Sequence, residues 1–218
     1  PVPAVLVRAV AYVFIQWGLV DEAVLILLGW EGALRPGDLA GLRAEDVRLP
    51  IDSGNVPGMS LPAMFLILRF SKTRRTSARV QTARIIEPAL IHAATTLWRH
   101  GDPDRFLFTS NRKDRAEHLS ELFRQAVAAL RVPTGIQEGV VLSGLRPGGR
   151  TALFERCGDL RRGQWRARHD VPGTRAHYIH EWAGDVAWAR LPRATRDDVL
   201  LLSARLPESL GAALRAAE

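Results

Sequence analysis

The sequence holds a single cysteine, Cys157, in 218 residues. One cysteine excludes an intramolecular disulfide and a multi-cysteine metal site, and it fits a reducing compartment. Lysine is almost as scarce. Only Lys72 and Lys113 occur, so all but two of the 30 basic residues are arginine. Tyrosine occurs twice, at Tyr12 and Tyr178. Long hydrophobic runs are missing as well. The best, Ala23 to Trp30, is far shorter than a membrane span, and Arg8 and Gln16 interrupt the N-terminal stretch. No secretory segment is visible, and no membrane association is expected.

What is present is a hydrophobic share of 47% and a net charge of +7, with a pI near 10.8. The length suits one large domain or two small ones, the hydrophobic share supports a substantial core, and residues 1–218 are read as a single domain. Arginine keeps its charge and pairs well with phosphate. A balance this basic is a footprint of nucleic-acid binding, although GC-rich coding produces the same bias.

The hydrophobic pattern predicts helices over 3–18 and 21–31. Gly32-Ala33-Leu34 breaks the second, and a short helix then runs from Arg35 to about Leu42. Prolines and glycines make 50–62 a loop. Met64 to Phe70 and Arg79 to Ile86 read as the two strands of a hairpin with a basic tip. Further helices are expected at 88–100, 119–131, 147–156, 174–184 and 195–217. The fold class is therefore mainly α with a small antiparallel β-sheet (α+β), the sheet lying near 46–86.

One tetrapeptide, Leu-Arg-Pro-Gly, occurs at both 34–37 and 145–148. Proline is favoured at the first helical position, so each copy sets an arginine, Arg35 or Arg146, at a helix start. Helix N-termini favour anions, and arginine grips a phosphate with parallel hydrogen bonds. Attack on a phosphodiester needs neutralised non-bridging oxygens, a nucleophile, and a proton for the leaving oxygen. Two arginines, a tyrosine and a lysine supply these parts.

In this order the chain resembles the catalytic domain of the tyrosine recombinases, the phage-integrase family. The resemblance runs from about residue 5 to about residue 185. Its stretches are Gly32 to Val47, Phe70-Ser-Lys-Thr73, Leu142 to Phe154, Arg162-Gly-Gln-Trp165 and Arg175-Ala-His-Tyr-Ile179. It implies that Arg35 and Arg146 are the catalytic arginines and that Asp38 braces the site. Lys72 protonates the leaving oxygen, and Tyr178 is the nucleophile of a 3′-phosphotyrosine intermediate. It implies DNA recombination or integration, as in mobile elements, with no cofactor, metal or ATP. Double-stranded DNA is the partner, with self-association as a tetramer on paired sites and no small-molecule substrate. Location is then intracellular, with the DNA: nucleus or cytoplasm according to host. The chain begins with Pro1, so an upstream DNA-clamping domain is expected to be absent from this fragment.

Two departures stand out. The family carries histidine three residues before the second arginine, where this chain has Ser143. Serine donates a hydrogen bond but cannot shuttle a proton near neutral pH. The family's His or Trp before the tyrosine matches Trp165 by local context and His169 by spacing, and Trp165 is favoured. Arg74, Arg75, Arg79 and Arg150 are expected to contact DNA. His169, His177 and His180 lack acidic or cysteine ligands at a familiar spacing, so no metal site is read from them. Three other readings stay open: a DNA-binding relative that has lost turnover, a type IB topoisomerase-like relaxation enzyme, and a helical scaffold with compositional arginines. The apolar residues Val199, Leu200, Leu201, Leu206, Leu210 and Leu214 suit either docking on a neighbour or covering their own core.

Overall fold

A computed structural model describes residues 1–50, 62–69, 81–157 and 185–217. Helix α1 spans Ala4–Gln16 and α2 spans Val20–Glu31. A short α3 covers Pro36–Ala40, and a 3-10 turn at Ala44–Asp46 leads into strand β1, Val47–Arg48. Strands β2, Met64–Leu68, and β3, Gln81–Ile85, follow. Helices α4, Pro88–Trp98, α5, Arg115–Ala129, and α6, Thr134–Gln137, come next. A second 3-10 turn, Leu142–Gly144, runs into α7, Leu145–Cys157, and the last helix, α8, spans Arg193–Ala217. The class is thus mainly α with one small antiparallel sheet, as the pattern predicts.

The sheet has the order β1-β2-β3. Val47 pairs with Leu66, and Leu66 pairs with Ala83, so one face of the sheet is an apolar row. Successive strand side chains alternate between faces, which gives β2 its alternating burial. The central helices are α1 and α2. Val24, Leu25, Ile26 and Leu28 of α2 are all solvent-free, as are Val10 and Phe14 of α1. Burial on nearly every side of α2 explains why its sequence shows little polar face.

Helix α8 lies along α1. Val199, Leu206, Leu210 and Leu214 are buried and belong to the core, whereas Leu200 and Leu201 are about half exposed. Phe106-Leu107-Phe108 lies in the link before α5. The Leu107 N–H donates to the Leu42 carbonyl at 2.9 Å, and Leu107 and Phe108 are buried. The guanidinium carbons of Arg115 and Arg43 lie 3.6 Å and 4.8 Å from the centroid of the Phe106 ring.

Two of the differences from the expected element starts have a visible cause. Helix α5 begins at Arg115, four residues earlier than expected, because the Asp114 side chain accepts the Glu117 N–H at 3.0 Å and caps the helix there. Helix α7 begins at Leu145 because the preceding 3-10 turn already points the chain into a helical path. Among the described residues, no helix is long and apolar enough to cross a membrane.

Candidate active site

The last turn of α2 is the platform. Gly29 offers no side chain there. A methyl group on it would lie 2.7 Å from Leu39 Cδ1 and 3.2 Å from Leu145 Cδ1. Leu39 follows the first Leu-Arg-Pro-Gly copy, and Leu145 opens the second. Both copies are therefore drawn to one bare stretch of backbone. Gly148 and Gly149 repeat the device from the other side, with their Cα atoms close against the carbonyl oxygens of Val2 and Trp30. The Trp30 indole N–H donates to that Val2 carbonyl at 3.1 Å, and the Val2 N–H donates to Gly144 at 3.0 Å. The N-terminal segment is thus stitched between α2 and the turn before α7.

An ion pair completes the clamp. Glu31 Oε2 lies 3.2 Å from Arg156 Nη2, joining the end of α2 to the end of α7. The Glu31 side chain is only 6% exposed. This contact was missed in the sequence, although a signal exists. A carboxylate in the last turn of a helix opposes the helix dipole, so it calls for a cationic partner.

The two tetrapeptides do not use their arginines alike. Arg35 is the N-cap of α3, with extended backbone (φ −85°, ψ 156°) and Pro36 in the first helical position. Its backbone N–H donates to Asp38 Oδ2 at 3.2 Å. Asp38 is buried at the third helical position, where its charge also suits the dipole. Arg146 lies inside the first turn of α7 and is buried, at 8% exposure. Ser143 is exposed in the preceding 3-10 turn.

Arg150 is half-buried one turn beyond Arg146. Burial pushes its guanidinium below the ordinary arginine value. Lys72, Arg74, Arg75, Arg79, Trp165, His169 and Tyr178 lie outside the described residues.

A shallow cleft runs between α3 and the end of β2, lined by Gly37, Asp38, Gly41, Ile67 and Arg69 among others. Arg69 is fixed there by Asp46, whose side chain is 2% exposed, and by Glu45 at 3.2 Å. Its hydrogen bond to Asp46 and that carboxylate's charge push its pKa above the ordinary arginine value. Asp46 Oδ2 also accepts the Arg43 N–H at 3.0 Å. These acids hold the end of β2 against the chain that follows α3. No local sequence pattern points to this contact, because it joins residues 23 apart.

Among the described residues, no group of histidine, cysteine or acidic side chains is placed to hold a metal ion. No family model, curated protein or solved structure matches the chain.

Proposed function

We propose that this chain is a DNA strand transferase of the tyrosine-recombinase kind. The observation that carries the proposal is the shared seat of two arginine-bearing helix starts. Helices α3 and α7, with Arg35 and Arg146 at their beginnings, rest on the same last turn of α2. Arginines far apart in sequence, both anchored to one rigid platform, suit the non-bridging oxygens of a phosphodiester. Tyr178 attacks phosphorus, and the 5′-oxygen leaves with a proton from Lys72. The phenolic proton passes to solvent, since Ser143 stands where the resembled family has histidine. The phosphotyrosine conserves the bond energy, so a new 5′-hydroxyl can reverse the step. Trp165 or His169 adds a hydrogen bond to phosphate, and Asp38 braces Arg35. Duplex DNA is the substrate, with assembly on paired sites.

The test is covalent trapping on nicked suicide duplexes. A denaturation-resistant adduct whose linked peptide contains Tyr178 supports the proposal. Ser143 favours one rival, a relative that binds DNA without turnover. Salt-sensitive DNA binding with no adduct on any duplex tried points to that rival.

A further inference from the structure

Arg150 stands one helical turn beyond Arg146 on α7. Residues four apart share a helix face. The opposing side of α7 is occupied, because Gly148 and Gly149 lie against the Val2 and Trp30 carbonyls. Arg146 and Arg150 are thus neighbours on α7, Arg146 buried and Arg150 the more exposed of the two.

Among the described residues, no acid pairs with Arg150. Its Nε is shut off from solvent and has no hydrogen-bond partner among the described residues. Burial alone acts on its pKa, with no nearby acid opposing it. Arginine does not give up its proton at neutral pH, so the desolvated charge stays. Two described acids of α7 and α2 do not serve. Glu155 is exposed, and Glu31 is engaged with Arg156. An anion from outside offsets the desolvation.

We propose that Arg150 binds the DNA backbone phosphate next to the one held by Arg146, so that the first two turns of α7 carry a two-phosphate seat. The inference rests on the strand-transferase reading. One turn separates the two Cβ atoms by about 5–6 Å. That step matches successive phosphates of a strand better than the much smaller gap between two oxygens of one phosphate. Arg150 is thus a substrate-binding residue rather than a catalytic one, and its loss acts on affinity rather than on the cleavage step.

The experiment is fluorescence anisotropy of the 218-residue chain on a labelled random-sequence duplex across a salt series. Arg150→Gln should weaken binding and reduce the slope of log affinity against log salt by about one. Arg150→Lys should restore the slope, since lysine supplies a point charge. Arg205→Gln, an exposed position on α8, should change the slope far less. Arg150→Gln should also melt at or above the native temperature, because it removes a desolvated charge. A structural arginine would instead lower the melting temperature and leave the slope alone. An unchanged slope in Arg150→Gln overturns the seat while DNA stands as the partner. Absence of salt-sensitive binding by the native chain overturns the seat and the strand-transferase reading together.

Discussion

Gly149 lies so close to Trp30 that a methyl group added to the glycine would sit 1.7 Å from the Trp30 carbonyl oxygen. The contact is backbone against backbone, so no side chain can swing aside to relieve it. Alanine inside a helix is ordinarily better than glycine by about 0.5–1 kcal/mol. Here the sign should reverse. Gly149→Ala is expected to destabilise the fold by about 2 kcal/mol or more, because α7 must lift from α2. Urea denaturation measures this, and a variant as stable as the native chain would show that α7 does not rest on Trp30.

The ion pair between Glu31 and Arg156 should be worth more than a surface pair. Arg156 is half exposed, but Glu31 is nearly closed to solvent. Removing the cation leaves a buried carboxylate with less compensation. A double-mutant cycle of Glu31→Gln and Arg156→Met should give a coupling of about 1–2 kcal/mol in thermal or urea unfolding. A coupling near zero would mean the two ends of the helices are not tied.

Glu22 gives a pH signature. Burial raises its pKa above the ordinary glutamate value of 4.5; a backbone hydrogen bond opposes this in part, and repulsion from Asp21 adds a smaller upward push. The folded chain therefore holds this proton more tightly than the unfolded chain. Its contribution to stability is fully present below 4.5 and is lost as pH rises through the folded value. Glu22→Gln should stabilise the fold at neutral pH, and the gain should vanish in acid. Melting curves at pH values on either side of 4.5 measure this, and a gain that is equal at all of them would contradict it.

Much of the fold is legible in the sequence because its signals are local. The apolar run of α2, the proline at the start of α3 and the alternation in β2 each depend on neighbours a few residues away. Asp38 is legible for the same reason, since a carboxylate three residues into a helix reaches back to its own cap. The break after α2 is legible only in part. Glycine at position 32 suggests the left-handed residue of a helix end, yet Gly32 has φ −85° and Ala33 takes the positive value, 50°. Gly32 is used for closeness instead, with Ala83 and Ile85 of β3 packed where its side chain would be.

The pairings that build the site are not local. Leu39 and Leu145 meet over Gly29, and Glu31 finds Arg156 across 125 residues. No spacing rule reaches that far. Pro207 shows the opposite failure of local rules. It lies inside α8, where a proline removes one helical hydrogen bond, and the helix continues to Ala217. Burial of Val199, Leu206, Leu210 and Leu214 against the core holds the helix on both sides of it.

The proposed joint action of Arg35 and Arg146 on one phosphate is the centre of the account. The most direct measurement is the rate of covalent adduct formation on a suicide duplex, with the native chain beside Tyr178→Phe, Arg35→Lys, Arg146→Lys and the double arginine variant. The account predicts an adduct in the native chain and none in Tyr178→Phe. Each single arginine variant should be slower by about 10²–10³-fold. The double variant should be little slower than the worse single one, because the two groups act as a unit. An adduct that survives in Tyr178→Phe, or arginine variants that cleave at the native rate, would contradict it.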